Sequence, residues 1–415
     1  MSMHSQSNSI RSAGFTLIEV LIAMLIGMIG LVVMMQTFAV SEGFKRTATN
    51  GTDAQINGGV GLYMLQRELR LAGAGLNNFM TLGCTSVRVW NNPTNSGVDI
   101  NMFPFEINTA GVPAGDANTD TITIAYGTAP SFVAGIPLST GQAGVPTAPI
   151  PPATNYDTFE TGDLFITVVP GAGVGGAPSC VLHEATATDS PSGNCGYAPL
   201  TAHTVEHNTT VYKQHTSTGC VTTTPTFNSA TGIKDSTGAV VPLVTAQNPN
   251  SLIFDLGKPS VKVYAIRGGN LTMCDWIATN CTVAANYNTI VNDIVSLRAV
   301  YGMNLTPAVT ALAGDFITTV WQRASLTTNV FLPSRVTAVA LEITARSSLK
   351  EKPSTGTVCN TTPVATRPDL SQDWLYQSMA GAGIDLSTVS ADWNCYRYKL
   401  FQTRVPLRNL IWRPS

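Results

Sequence analysis

A long apolar segment follows a short polar leader at the start of the chain. From Phe15 to Ser41 the one ionisable residue is Glu19, and the next charged residue is Glu42. A helix crosses the apolar part of a bilayer with about 20 residues, each of which advances it by about 1.5 Å. The pattern therefore predicts a membrane-spanning helix over 15–39 that carries one carboxylate near its start.

The apolar positions take up a helical period again in 52–72. Thr52 and Gln55 fit a capping box at the start of this second helix, and glycines within 58–61 weaken its first half enough to predict a kink or a break. We therefore expect an amphipathic helix within 40–76 that continues the first one as a stalk. The residues predicted to face inward are Ile56, Val60, Met64, Leu65, Leu69 and Ala72.

Beyond residue 76 the chain alternates apolar and polar positions in short runs, which is typical of strands. Gly268 and Gly269 mark a hairpin turn, and Trp321–Ala324 is predicted as a short helix. The expected fold class is α+β, with the long N-terminal helix packed on an antiparallel β-sheet head over 77–415. Predicted strands are Thr121–Tyr126, Leu164–Val169, Ser251–Asp255, Val261–Ile266, Ile290–Tyr301, Val336–Ala345 and Tyr396–Val405. Long loops are predicted over 128–157, 190–247 and 353–371.

Composition narrows the kinds of partner that the head is suited to bind. Charged residues make up 12% of the chain and the formal net charge is −2, which leaves no basic stripe of the kind that nucleic acids require. Basic and aromatic residues interleave near the C-terminus, as they do in proteins that bind single-stranded nucleic acid. The same pattern is expected of a strand that has a charged face in solvent and an aromatic face packed on the protein, and we favour this second interpretation. They are Arg397, Lys399, Arg404, Arg408 and Arg413 with Tyr396, Tyr398, Phe401 and Trp412.

All eight cysteines follow the apolar segment. An even number of cysteines in an exported chain indicates disulfides, and the sequence has no C-x-x-C pair of the kind that binds zinc. Many pairings are open, and Cys274–Cys281 is favoured most because it closes a small loop beyond the hairpin. The pairs expected from proximity along the chain are Cys274–Cys281, Cys180–Cys195, Cys359–Cys395 and, as the remainder, Cys84–Cys220.

The sequence contains no catalytic or cofactor constellation. The G-x-G-x-x-G run at 171–176 follows a strand, but prolines flank it, so we expect a loop rather than a dinucleotide site. His183 and Glu184 begin an H-E-x-x-H pattern in which Ala187 replaces the second histidine. We therefore expect no enzymatic activity, no metal and no cofactor. We expect the histidines of this region to lie at the surface, and adventitious metal binding is the alternative. The residues concerned are His183, His203, His207 and His215, with Glu206 nearby.

The string from Gly14 to Ala23, GFTLIEVLIA, resembles the class III signal of type IV prepilins and pseudopilins. The leader carries Arg11, and no small-residue site of a standard secretory signal follows the apolar segment. In that family a dedicated peptidase cuts after the glycine and methylates the new amino terminus. The resemblance implies cleavage between Gly14 and Phe15 and N-methylation of Phe15. It also implies that Glu19, fifth in the mature chain, pairs with the amino terminus of a neighbouring subunit.

Later blocks are similar to the PilW family of minor pilins and come in that family's order. The resemblance implies a minor pilin with a cleaved leader over 1–14, held in the inner membrane with a periplasmic head until it enters the pilus near the tip. Implied partners are the prepilin peptidase, the inner-membrane assembly platform and other minor and major pilins. A minor pseudopilin of type II secretion (J type) and a pilus-borne adhesin are the alternatives. The similar blocks lie at 62–75, 120–126, 291–302, 335–346 and 398–409.

Overall fold

The computed structural model has one long helix followed by a β-rich head, so the α+β class expected from the sequence is confirmed. Strand pairing in the described head is antiparallel apart from one parallel contact. The structure describes residues 14–76, 84, 86–91, 96–129, 135–138, 159–170, 178–187, 205–216, 218–228, 233–234, 240–241, 251–304, 318, 320–322, 336–351, 359–362 and 386–411.

One helix, α1, runs without interruption over Leu17–Leu71, which is 55 residues or about 80 Å. It is followed by Gly73, whose φ of 79° is a backbone conformation that glycine adopts without strain. The predicted helix start at Thr52 is wrong, because Thr52 lies inside α1 and its hydroxyl donates to the Ala48 carbonyl at 3.0 Å. The helix also continues through 58–61, so the predicted break is wrong.

Two glycines of α1 let the head approach the helix closely. A Cβ atom at Gly58 would lie 2.0 Å from Cε2 of Phe401, and a Cβ atom at Gly61 would lie 3.2 Å from Cδ1 of Ile343. The first distance is far below van der Waals contact and the second is tight. The helix keeps these poor helix formers because their missing side chains make room for the sheet.

The side of α1 that faces the head differs from the predicted side over residues 54–64. The predicted positions that are fully buried are Leu65, Leu69 and Ala72. The predicted positions that are instead exposed, by 57%, 46% and 37%, are Ile56, Val60 and Met64. Small residues are buried against the head in their place, namely Ala54, Gly58 and Gly61. Apolar spacing located the helix correctly, but it did not show which side the sheet covers.

The strands of the head are short in its middle part and long near the C-terminus. A short helix, α2 (Arg408–Ile411), follows the last strand. In chain order the strands are β1 (Val87–Asn91), β2 (Ser96–Ile100), β3 (Phe105–Ile107), β4 (Ile122–Tyr126), β5 (Ile136–Pro137), β6 (Leu164–Val169), β7 (Ser179–Glu184), β8 (Tyr212–Thr216), β9 (Gly219–Thr223), β10 (Ile233–Lys234), β11 (Val240–Val241), β12 (Leu252–Gly257), β13 (Ser260–Arg267), β14 (Asn270–Asp275), β15 (Asn288–Val291), β16 (Ile294–Met303), β17 (Val320–Gln322), β18 (Val336–Arg346) and β19 (Tyr398–Pro406).

The described strands form three larger sheets and two hairpins. The four-stranded sheet has the order β17-β16-β18-β19, and β18 and β19 pack on α1. The five-stranded sheet has the order β15-β14-β13-β4-β3, and the six-stranded sheet has the order β2-β1-β7-β6-β12-β5. The hairpins are β8-β9 and β10-β11. The main core lies between α1 and the four- and five-stranded sheets, and a second core lies between the five- and six-stranded sheets.

Buried polar groups join the four- and five-stranded sheets. Tyr301 of β16 is fully buried, and its hydroxyl accepts the Ile107 N–H of β3 at 2.7 Å. Asp120, just before β4, is also fully buried, and its carboxylate accepts the Ala299 N–H of β16 at 3.1 Å. These bonds connect segments that are far apart in the chain, so they fix the four- and five-stranded sheets to each other beside the helix.

The strand predictions hold for regular alternation and fail where the backbone turns inside an apolar run. The predicted single strand Ile290–Tyr301 is divided into β15 and β16 at Asp293, whose φ is 58°. Trp321 lies in β17 rather than in a helix. The range 190–247, predicted as a loop, contains the β8–β9 hairpin. The predicted turn at Gly268–Gly269 is confirmed, since it joins the paired strands β13 and β14.

Two of the described disulfides are the predicted local pairs, Cys274–Cys281 and Cys359–Cys395. A third disulfide joins Cys84 to Cys180, with Cα atoms 6.0 Å apart and a sequence separation of 96. The predicted pairs Cys180–Cys195 and Cys84–Cys220 are therefore wrong.

The reason for this correction is tertiary. Strands β1 and β7 lie side by side, with Arg88 opposite Val181, and this pairing brings the neighbouring cysteines together. Proximity along the chain carries no information about such a contact. Cys220 is disulfide-bonded, and Cys195 lies outside the described residues.

Candidate processing and assembly site

α1 begins with a capping box formed by Thr16 and Glu19. Thr16 is the N-cap residue, and its backbone N–H and its hydroxyl both donate to Oε2 of Glu19 at 2.9 Å. In return, the Glu19 N–H donates to Oγ1 of Thr16 at 3.4 Å. A threonine followed three residues later by a glutamate satisfies the open amides of a helix start in this way. The T-x-x-E spacing is visible in the sequence and identifies Thr16 as a helix start. The predicted capping box was placed at Thr52 instead, and Thr16 was missed.

The capping box leaves Glu19 with one carboxylate oxygen for another partner. Oε2 takes both hydrogen bonds from Thr16, and Oε1 accepts none from the residues that the structure describes. The side chain is exposed. A negative charge in the first helical turn is favourable because unpaired backbone amides point towards it. The carboxylate is therefore held in place on one side and open on the other.

Gly14 and Phe15 precede the helix and contact little of the protein. A Cβ atom added at Gly14 would have no heavy atom within 4 Å among the contacts that the structure describes. Phe15 is 86% exposed. The fold itself thus makes no steric demand for glycine at position 14, and any such demand must come from a molecule that binds this segment.

The first half of α1 is apolar and has no protein around it. Within the described part of the chain, α1 is the helix that is long and apolar enough to cross a membrane, and none of its apolar window is buried. In a water-soluble protein such a surface would be covered by a core. The exposed apolar residues of this half include Leu17, Leu21, Leu25, Met28, Val32, Met35 and Phe38.

The basic residues near the C-terminus have local partners. Nε of Arg397 lies 2.9 Å from a carboxylate oxygen of Glu351. Lys399 Nζ donates to the Gln55 side-chain oxygen of α1 at 2.7 Å. The structure thus uses two of these cations to pair the last strand with its surroundings, while Arg413 lies outside the described residues.

Two of the histidines expected at the surface are buried. His183 and His207 are each 2% exposed, and their ring centroids lie 4.9 Å apart. His203 and the G-x-G-x-x-G run at 171–176 lie outside the described residues, as does the side chain of His215. Across the part of the chain that the structure describes, no group of three or more His, Cys, Asp or Glu side chains is placed to hold a metal ion.

Comparison with known proteins matches the start of the chain. The family model described as the prokaryotic N-terminal methylation motif covers residues 10–35, which include Gly14, Phe15, the capping box and half of the exposed apolar helix. No curated protein and no solved structure matches the chain. The chain therefore carries a type IV prepilin-like class III signal followed by an apolar helix of the kind that anchors pilins and pseudopilins in the inner membrane.

Proposed function

We propose that this chain is a minor pilin of a type IV pilus, of the PilW kind, and that it acts near the tip where the filament starts. The observation that carries the proposal is the exposed apolar helix, which begins with a prepilin-like signal and ends inside a large disulfide-bonded head. A helix with such a surface needs lipid or other helices around it. The membrane provides the first environment, and a filament of similar helices provides the second.

Cleavage between Gly14 and Phe15 would place a new amino group beside the capping box. Thr16 occupies Oε2 of Glu19, so Oε1 is the oxygen available to the methylated amino group of a neighbouring subunit. An isolated carboxylate is unfavourable in apolar surroundings, and its attraction to a cation is stronger there than in water. Glu19 would therefore favour subunit arrangements that bring a neighbour's Phe15 close to it.

The exposed apolar surface of α1 continues past the membrane segment. On the side of α1 that the sheet leaves open, a row of apolar residues recurs at helical spacing. This row supports contact with the helices of other pilins at the level of the head as well as in the membrane. Its members are Ile56, Val60, Tyr63, Met64 and Leu71.

The proposal is tested by deleting the chain from its host and measuring two outputs, sheared surface pili and the release of a type II secretion substrate. We expect pili to be lost, secretion to be unchanged, and the re-expressed chain to appear in the sheared fraction in small amounts relative to the major pilin. Intact pili with lost secretion would overturn the proposal and favour the pseudopilin. Intact pili with lost surface attachment would overturn it in favour of an adhesin.

A further inference from the structure

The six-stranded sheet buries a pair of imidazole rings that the proposed function does not use. His183 belongs to β7, and His207 follows the short segment that pairs with the end of β7. The ring centroid of Phe165 in β6 lies 5.3 Å from that of His183 and 6.5 Å from that of His207. We call His183 and His207 the histidine pair.

His183 is held as a neutral ring. Its Nε2 lies 3.1 Å from the hydroxyl of Thr167, which is a neutral hydrogen-bond partner. The rings of Phe165 and His207 also lie close to the His183 ring. Burial is the main reason that the pKa of His183 lies well below its usual value, and the charge of His207 when protonated lowers it further. Protonation of His183 would place a cation among aromatic and aliphatic groups, which is unfavourable.

The acidic residues near this face do not provide a counter-charge for His183. Asp255 of β12 lies opposite Phe165, so the phenyl ring separates it from His183. Asp163 is 3.7 Å from Lys258, and its second oxygen accepts the Glu160 N–H. Among the described residues, His207 is the charged group that acts on His183.

The carboxylates adjacent in sequence to the two histidines are also engaged elsewhere. Glu184, next to His183 in β7, accepts from the Tyr212 hydroxyl and from the backbone N–H groups of Thr226 and Phe227. Glu206, next to His207, accepts from the side-chain amide of Asn208 at 3.0 Å.

Residues 205–228 are attached to the six-stranded sheet at a few points around this pair. The Thr186 N–H donates to the Glu206 carbonyl at 2.8 Å, and the Glu206 N–H donates to the Ala187 carbonyl at 2.9 Å. The Asn228 side chain donates to the carbonyls of Glu184 and Asn208. The hairpin that this segment carries is largely open, since β9 is exposed over most of its length.

We propose that the histidine pair is an acid-sensitive contact that holds residues 205–228 on the six-stranded sheet, and that acidification releases this segment while the sheet on α1 stays folded. β7 would stay attached to the start of the head through Cys84–Cys180. The hydrogen bonds of residues 205–208 to the end of β7 would open first.

The direction of the pH effect follows from linkage. The released state binds a proton at His183 near pH 6.5, the ordinary pKa of histidine, and the closed state binds it at a lower pH because the pKa is lowered by burial. The closed state is therefore favoured above pH 6.5 and loses stability as pH falls towards the pKa of the closed state. One proton makes the opening constant rise by up to about tenfold per pH unit in this range.

Asp255 acts in the opposite direction and has to be separated from this effect. Burial is the main reason that the pKa of Asp255 is raised to about 7. Protonation of Asp255 therefore stabilises the fold as pH falls from 7 towards 3.8, which is the ordinary pKa of an aspartate. Burial likewise raises the pKa of Glu184 and the pKa of Asp163, so these carboxyls also oppose the effect of His183. An Asp255→Asn background removes one opposing contribution, and a comparison with and without His183→Gln in that background isolates the histidine.

The test is amide hydrogen exchange on the full chain in detergent micelles between pH 7.5 and 4.5, corrected for the intrinsic pH dependence of exchange. In the Asp255→Asn background we expect protection in 205–228 to fall below pH 6.5, more steeply than in the same background with His183→Gln by up to about tenfold per pH unit, while 294–303 and 336–346 keep theirs. His183→Gln should remove the steeper fall, and Val221→Gln, at an exposed residue of β9, should retain it. Equal responses in both variants, or unchanged protection down to pH 4.5, would overturn the proposal.

A second measurement needs no substitution. Imidazole carbon and nitrogen shifts of the natural chain, labelled on histidine, should show one ring that stays neutral well below pH 6.5 and then titrates together with exchange broadening of signals from 205–228. If every histidine ring titrated near 6.5, with no change in those signals, the proposal would equally be rejected.

Discussion

The two halves of α1 differ in apolar content and in their surroundings, since the first half is almost entirely apolar and the second half is amphipathic. The first half exposes its apolar residues all around, whereas the second half covers one side with the sheet and leaves the other side open. In the covered half the residues beneath the sheet include Gly58 and Gly61, while larger apolar residues such as Ile56 and Tyr63 remain outside. At Gly58 and Gly61 close contact with the head thus depends on the absence of side chains, whereas Leu65 and Leu69 are buried against the head further along the helix. Ile56 and Tyr63 are left for contacts outside this chain.

The largest expected effect is on processing at the start of the chain, where Gly14 and Phe15 make few contacts with the rest of the described residues. Gly14→Trp should block processing completely and leave the chain at its full length, since the proposed cut lies directly after this residue. The head should fold normally, because a side chain at position 14 meets no neighbour within 4 Å. Intact mass of the membrane-extracted chain measures processing, and resistance of the head to trypsin measures folding. The control for both is Gly43→Trp, at a glycine of α1 that also has open space around it. A normally shortened Gly14→Trp chain would refute the assigned cut.

The second effect concerns Glu19 within the same half. Glu19→Ala should leave cleavage intact and reduce incorporation into sheared pili by tenfold or so, because the neighbour's amino group loses its counter-ion. Glu19→Gln should keep the hydrogen bonds to Thr16 but should still enter sheared pili poorly, since the glutamine side chain has no charge. Glu42→Ala, a carboxylate beyond the apolar segment, serves as the control. Full incorporation of Glu19→Ala would remove the pairing role and make the first half a simple anchor.

The third effect tests the contact between the second half and the sheet. Gly58→Leu should destabilise the head by about 1–3 kcal/mol, because the new side chain overlaps the Phe401 ring. Gly59→Leu is the matched control, since a Cβ there meets nothing within 4 Å, and it should be neutral or stabilising by up to about 1 kcal/mol. Urea unfolding followed by tryptophan fluorescence measures both. Equal stability of the two variants would show that α1 is not packed tightly on the sheet.

The smallest effect on stability is expected on the open side of the second half. The double substitution Ile56→Ser and Tyr63→Ser should change the free energy of unfolding by no more than about 0.5 kcal/mol, because both side chains are exposed by more than half. The same variant should nevertheless enter sheared pili less efficiently if this side meets other helices. Val283→Ser, an exposed apolar residue of the head, is the control for incorporation. Normal incorporation of the double variant would restrict the assembly contacts to the first half.

The predictions from sequence succeeded where one local pattern decides the structure. The uncharged segment after Glu19 is a continuous helix, as its length and its unbroken apolar composition predicted. Strands β4 and β13 lie where apolar and polar residues alternate in the sequence, and β6 and β18 lie in short runs that are largely apolar. The local disulfide Cys274–Cys281 follows from a short separation beyond a hairpin. In each case the information lies within a few consecutive residues.

The sequence by itself determined the signal at Gly14–Phe15, the apolar helix and the α+β class, because these depend on composition and periodicity along the chain. Tertiary structure alone decided that small residues rather than Ile56 and Val60 face the sheet and that Cys84 meets Cys180. It also decided that His183 and His207 are buried together. These outcomes depend on which surfaces meet after the chain has folded back on itself, and a spacing rule applied along one helix or strand contains no information about the surface opposite to it.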